Sequence, residues 1–313
     1  MCNSNMKKIL AFLFAIWLTP ALAQIAQTGA GLAKPVSGAA FVGPADAIAS
    51  PTACYSLRAC ASALRGTKVA NVCNSTGGVD VGCADMLSDA TTGDLVPATI
   101  SLISCPGANC TVKTLYDQIG SNCSGPCDVT NATVANRPTL TTSCGALSKA
   151  FCMAFSGTQQ LINATSSGTI SQPITLAAVA NRTSGSGAAG MVTAGNGSAG
   201  VEVVFDTGPI VAIYAGGAQP SLSVTTSAWH SVHGVFNGAS SAVVLDGVSS
   251  TTGNAGSGTW ALSTQVGVGT DSFSQLLAGF QVEALIYPIA FSAGQQTTMC
   301  HNQFAYWGTS VSC

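Results

Sequence analysis

Charge is scarce in this chain. Of its 313 residues only 10 are Lys or Arg and 12 are Asp or Glu, so charged side chains make up 7%, where about a quarter is ordinary for a folded domain. A single cation, Arg182, follows Lys149. That scarcity excludes a nucleic-acid partner, which needs a clustered basic face. Histidine is sparse too, three in all, with no paired Cys-x-x-Cys motifs, so no metal site and no cofactor are expected. Glutamate occurs twice, at Glu202 and Glu283, beside ten aspartates. After residue 23 no apolar run is long enough to cross a bilayer, so no membrane span is expected. No long-period repeat is visible. Surface solvation falls to Ser, Thr, Asn and Gln, as in exported β proteins and proteins that meet neutral glycans.

What is present begins with cysteine. Lys7 and Lys8 precede an apolar run at 9–18 (ILAFLFAIWL), followed by Thr19-Pro20 and Ala21-Leu22-Ala23. A basic start, a short apolar core and an A-x-A exit form a secretory signal over 1–23, cut before Gln24. As helix, the core spans about 15 Å, roughly half a bilayer, too short for an anchor. The expected location is secreted, periplasmic or at the cell surface. Removing Cys2 with the signal leaves twelve cysteines, an even number. In an oxidising compartment these read as a disulfide framework. They fall into sequence neighbours: Cys54/Cys60, Cys73/Cys83, Cys105/Cys110, Cys123/Cys127, Cys144/Cys152 and Cys300/Cys313. Those neighbours are the expected pairs, although spacing alone does not fix connectivity. Each bridge would add about 2–3 kcal/mol by chain entropy. The mature chain keeps 8 basic and 12 acidic side chains, net −4. Asn-x-Ser/Thr triplets at Asn74, Asn109, Asn122, Asn131, Asn163, Asn181 and Asn196 matter where the host glycosylates.

Residues 24–50, rich in Ala, Gly and Pro, read as a flexible leader, and 51–313 as one domain. Ten of the twelve mature cysteines lie before residue 155. Residues 53–64 (ACYSLRACASAL) suit a short helix or a turn-rich cap, and strands are expected at 68–72, 98–103 and 112–116. The second half shows short β runs at 174–179, 201–205, 210–214, 221–225, 230–236, 242–245, 265–268 and 280–287, separated by Gly, Ser and Asn. That rhythm predicts an all-β antiparallel sandwich or jelly roll. Ser292, with Gln295 three residues on, forms a capping box for a helix reaching about Tyr306.

Two stretches carry a family resemblance. Cys105-Pro-Gly-Ala-Asn-Cys110 runs into Thr-Val-Lys-Thr-Leu-Tyr116-Asp117-Gln118-Ile-Gly120. Gly267-Val-Gly-Thr-Asp271 is followed by Gly279-Phe-Gln-Val-Glu283-Ala-Leu-Ile-Tyr287-Pro288. With Ala53-Cys54-Tyr-Ser-Leu-Arg58 and Gly66, these resemble the catalytic domain of α-L-arabinofuranosidase B, glycoside hydrolase family 54, over roughly 51–310. The second stretch is also similar to the closing strand of concanavalin A-like and laminin-G-like sandwiches. The resemblance implies a concanavalin A-like β-sandwich with short helices and a disulfide-stapled N-terminal half. It also implies a secreted hydrolase of terminal α-L-arabinofuranosyl residues, with polysaccharide or surface glycan as partner.

The resemblance places the family's acid/base at Asp271, with Gly269 and Thr270 beside the substrate and Thr270 replacing a family Gly. Read from the residues alone, Asp271 is a turn cap before Ser272 and Ser274, the commoner role for such an Asp. The family's nucleophilic Glu, in a His-Met-Glu-Ala-Ile-Tyr strand, falls on Val192 in the 190–195 stretch, and valine cannot attack an anomeric carbon. The family's adjacent Cys-Cys pair is absent. Glu202 is the replacement candidate: on a strand it shares one face with Val204 and Asp206, a pattern that also describes the solvated side of an edge strand. Asp117 reads as a tie for the 118–120 turn, and Glu283 as a surface residue. Trp229, beside His230 and His233, is the candidate sugar platform, although strand aromatics are more often core. The two histidines, three apart on a strand, face opposite ways. No Gly-x-Ser-x-Gly elbow is present. With the nucleophile missing, the alternative is a non-catalytic glycan-binding or cell-surface module on the same sandwich.

Overall fold

The computed structural model describes residues 40–96, 105, 110–120, 127–163, 168–183, 187–195, 200–249, 252–261, 265–308 and 313. The signal segment, most of the leader, the strand expected at 98–103 and Cys123 lie outside the described residues. Contacts divide the chain into Met1–Ala40 and a compact unit, Phe41–Cys313, to which all that follows refers.

In chain order the principal elements are α1 (Pro44–Ala47), β1 (Ala53–Ser56), β2 (Lys68–Thr76), β3 (Val79–Leu87), β4 (Cys110–Leu115), β5 (Cys152–Ser156) and β6 (Ile174–Arg182). They continue with β7 (Ala189–Ala194), β8 (Val201–Asp206), β9 (Ile210–Tyr214), β10 (Trp229–Phe236), β11 (Ala242–Leu245), β12 (Val266–Val268), β13 (Ala278–Tyr287) and α2 (Ala293–Trp307). All strand pairs are antiparallel. One layer runs β11–β10–β6–β13, and β1 and β5 share the far edge of β13. The other runs β9–β8–β7–β12. A third ladder, β3–β2–β4, joins them through short strands. This is the expected all-β sandwich.

Strand parity explains the two cores. Leu176, Ala178 and Ala180 of β6 and Val282, Ala284 and Ile286 of β13 meet Val201, Val203 and Phe205 of β8 between the layers. The opposite parity, Ala177, Val235, Leu285 and Tyr287, packs with Phe291 and Met299 beneath α2. Every residue of β6 is therefore buried, as expected for a strand covered on both faces. Helix α2 starts as its sequence predicts. Ser292 and Gln295 form the capping box, and Gly308 closes the helix at φ 64°.

Three expectations change. The compact unit starts at Phe41 rather than Pro51. Ala45 N–H donates to Cys60 O at 2.8 Å, Tyr287 Oη to Pro44 O at 3.0 Å, and the Phe41 ring stands edge-on to Tyr306 at 5.9 Å. Residues 53–56 form β1 rather than a helix, because their backbone pairs with β13 (Tyr55 opposite Ala284, Ser56 opposite Glu283). Glu283 is wholly buried rather than at the surface: its parity on β13 turns it toward α2, with Leu285 and Tyr287.

The burial of Glu283 is compensated. Arg58 Nε donates to its Oε2 at 2.8 Å, Ser56 Oγ to the same oxygen at 3.1 Å, and Gln303 Nε2 of α2 to Oε1 at 3.0 Å. Arg58 also lies over the Tyr306 ring, 4.5 Å from its centroid, and donates to Asn302 at 2.7 Å. Ser231 Oγ, 3.1 Å from His233 Nε2, extends the network from Gln303 into β10. One ion pair thus ties β1, β13 and α2 together.

Five of the expected disulfides are in place: Cys54–Cys60, Cys73–Cys83, Cys105–Cys110, Cys144–Cys152 and Cys300–Cys313. Cys127 is also disulfide-bonded. Asn163 and Asn181 are about 5–6% exposed, and so offer no access to a glycosylation enzyme. No helix among the described residues is long and apolar enough to cross a membrane.

Arg58→Met leaves a buried carboxylate without its cation. Urea unfolding is expected to show a loss of about 3–5 kcal/mol, largely recovered in Arg58→Met/Glu283→Leu. A loss below about 1 kcal/mol, the scale of an exposed pair, contradicts this role.

Candidate carboxylate site

Glu202 sits on β8 between β7 and β9, opposite Thr193 and Tyr214. β8 is therefore an interior strand. Its Val201, Val203 and Phe205 point into the core, and Glu202 and Val204 face the other way. That second face is covered rather than solvated: Glu202 and Val204 are each 3% exposed. The cover is the turn after β12. Ser272 N–H donates to Glu202 Oε2 at 2.7 Å, and the Ser272 hydroxyl bonds the same oxygen.

Asp271 anchors that turn. Its Oδ1 accepts from Phe273 N and Gln275 N, each at 2.8 Å, and its N–H donates to Gln275 O at 3.2 Å. The turn-capping reading of Asp271 is thus realised. The other oxygen, Oδ2, is buried with no partner. Gly190 of β7 lets the turn approach, since a Cβ there would stand 1.9 Å from Asp271 N. Gly269 adopts φ +74°, and a Cβ on it would meet the Phe155 ring at 2.2 Å.

Burial raises the carboxyl pKa of both acids. Glu202 is pushed up from 4.5 to about 7, by desolvation first and by the nearby Asp271 charge; the Ser272 bonds act against this. Desolvation raises Asp271 too, against the two backbone donors on Oδ1. Sequence reasoning paired these two acids but missed Ser272, whose contact with Glu202 spans 70 positions.

The remaining candidates fall elsewhere. Trp229 is 2% exposed, its indole N–H donates to Cys144 O at 2.8 Å, and its ring lies 6.2 Å from Phe280. It is a core residue with no face for a sugar. Gly269 packs on Phe155, and Thr270 is fully buried with its hydroxyl on Asp271 O, so neither side of that segment presents a surface. Val192 is buried between Val203 and Val268. His230 bonds Asp246 at 2.6 Å, and Ser231, whose N–H also donates to Asp246 at 2.9 Å, links that pair to the His233 network. Asp117 ties its turn as expected, accepting from Ile119 N at 3.1 Å and also from Cys54 N at 3.0 Å. Among the described residues one cluster has metal-like spacing, Cys73, Asp80 and Cys83, but its two sulfurs are joined in a disulfide. A cavity of about 220 Å³ lined by Cys105, Cys110, Leu140, Thr141, Ser143 and Phe151 shares no residue with the carboxyl pair.

No protein-family model matches the chain, and no curated protein matches it. Solved structures do. A glycoside hydrolase family 54 α-L-arabinofuranosidase soaked with a cyclic sulfate inhibitor superposes with a TM-score of 0.63 at 14% identity. A Glu-to-Gln mutant of a family 54 arabinofuranosidase, soaked with 4-nitrophenyl α-L-arabinofuranoside, gives 0.63 at 15%. An arabinofuranosidase complexed with arabinofuranosyl-α-1,2-xylobiose gives 0.58 at 16%. Each match covers 87% of this chain and 66% of the other. The chain therefore spans just under two thirds of the length of these enzymes, and the likeness is one of fold: a glycoside hydrolase family 54-like sandwich.

The Glu202 shift has a thermodynamic signature. The folded chain keeps the Glu202 proton to about pH 7, whereas the unfolded chain loses it near 4.5. Between those values the folded state binds more protons, so this group makes stability fall as pH rises. The full effect is about 3 kcal/mol at 1.36 kcal/mol per pKa unit. His233, pushed down to about 4 by burial, acts in the opposite direction: protonation of the unfolded chain removes stability as pH falls below 6.5. Glu202→Gln removes only the first contribution. Urea unfolding is expected to show the substitution nearly neutral at pH 4 and stabilising by about 3 kcal/mol at pH 8. An equal effect at both values contradicts the assignment.

Proposed function

We propose that the chain is an exported glycoside hydrolase-like protein acting on terminal α-L-arabinofuranosyl residues of polysaccharides, with Glu202 and Asp271 as its carboxyl pair. The observation that carries this reading is the meeting of the two acids at the β8 face, both raised in pKa by burial. Double-displacement glycoside hydrolysis needs two such groups, one protonated and one ionised. The family 54-like fold and the sugar ligands of its structural neighbours support the substrate class.

Within this reading the roles exchange relative to the sequence expectation. Glu202, near 7, suits the proton donor at neutral pH. Asp271 holds one oxygen against two N–H donors and leaves Oδ2 free as the nucleophile. Asp271 Oδ2 attacks the anomeric carbon as the glycosidic bond breaks, and Glu202 gives its proton to the departing oxygen. Water, losing a proton to Glu202, then displaces Asp271 and releases the sugar.

A second reading is a non-catalytic glycan-binding or cell-surface module. One observation favours it: Asp271 is wholly buried beneath its own turn, so a substrate reaches Oδ2 only if that turn shifts.

Hydrolysis of 4-nitrophenyl α-L-arabinofuranoside decides between them. The first reading expects turnover that falls by roughly 10²–10⁴ in Glu202→Gln and Asp271→Asn, and declines in the wild type above pH 7 as Glu202 loses its proton. Retention on an arabinan column without turnover supports the second. Neither turnover nor retention overturns both.

A further inference from the structure

We propose that Phe273 and Tyr214 form the platform on which the terminal arabinofuranosyl ring rests beside the Glu202–Asp271 pair. The inference builds on the function proposed above and names what holds the sugar there.

Among the large apolar side chains that stand exposed in the described residues, Phe273 is the one aromatic, at 50% exposure. Single exposed aliphatic residues are ordinary on a protein surface. Phe273 differs in how it is held. Its N–H is bonded by the Asp271 carboxylate, and it is flanked by Ser272, which bonds Glu202, and by Ser274, at φ 64°. A non-glycine residue in the left-handed region is an uncommon choice for a turn. The same short segment thus fixes both acids and turns a phenyl ring outward.

Tyr214 supplies the second ring. It lies directly opposite Glu202 across the β8–β9 ladder, so the two side chains project from the same face. Tyr214 is half-buried, and its ring centroid lies 5.8 Å from that of Phe273 at an interplanar angle of 56°. The two tilted rings offer an apolar surface to the C–H groups of a sugar, on the turn that covers the two carboxyls, and the sugar's oxygens meet the acids when that turn shifts. A neutral sugar also suits the chemistry: the one cation after Lys149, Arg182, is buried with its Nη1 on the Asp206 and Gly208 carbonyls. The platform corrects the expectation at Trp229. One of its rings, Phe273, comes from a turn two residues after Asp271, and the other, Tyr214, ends β9.

The test uses the full chain with arabinofuranosyl-xylobiose as probe, read by calorimetry, and 4-nitrophenyl α-L-arabinofuranoside, read by initial rates. Phe273→Ala is expected to weaken binding and raise KM about tenfold, with kcat within about twofold of wild type. Phe273→Trp should restore affinity, and Tyr214→Phe should keep it while Tyr214→Ala loses it. Because Phe273 is half in solvent, circular dichroism should show unchanged melting for Phe273→Ala. If the wild type binds or hydrolyses these sugars and both alanine variants match it, the platform is overturned while the function stands. If the wild type does neither, the function and the platform fall together.

Discussion

The chain owns two glutamates, and both are buried, but they are compensated in different ways. Glu283 receives a cation: Arg58 bonds it, a tyrosine ring covers the guanidinium, and Gln303 and Ser56 take up its remaining capacity. Glu202 receives only neutral donors from Ser272, and its charged neighbour, Asp271, has the same sign. A carboxylate removed from water without a cation relieves its desolvation by holding its proton. The first glutamate therefore joins strands to a helix, and the second becomes a group that titrates near neutrality. This asymmetry gives the sandwich one acid paired with a cation and one held by neutral donors alone.

The two sites also divide the sandwich. The ion pair lies on the outer face of the β11–β10–β6–β13 layer, where α2 covers what would otherwise be a solvated sheet surface. The carboxyl pair lies on the outer face of the β9–β8–β7–β12 layer, where the turn after β12 covers it. The first cover is a 15-residue helix with a full capping box, and the second is a short turn tied by one carboxylate. The proposed site accordingly falls on the side where a turn rather than a helix forms the cover, a common division between scaffold and loop.

Much of the fold was legible in sequence because its signals are local. The period-2 runs of the second half mark single strands, the Ser292–Gln295 capping box and the near-neighbour cysteines specify contacts within about a dozen residues, and the described structure contains them. Glu202 drew notice because it shares its strand face with Val204 and Asp206, and Asp271 because the family resemblance places the acid/base there. What escaped was tertiary. Glu283 looks like a surface residue until α2 is laid over β13, and Trp229 looks like a platform until Cys144 accepts its N–H. Ser272 and Phe273 carry no motif, and their importance follows only from the partner that the turn meets.

Because the chain contains only two glutamates, selective carbon-13 labelling of the glutamate side-chain carboxyls yields a two-signal spectrum that can be followed against pH. One resonance is predicted to titrate with a midpoint near 7 and to vanish in Glu202→Gln. A Glu202 midpoint at the ordinary value of 4.5 would contradict the account, since it would mean that the carboxyl pair is solvated and uncoupled.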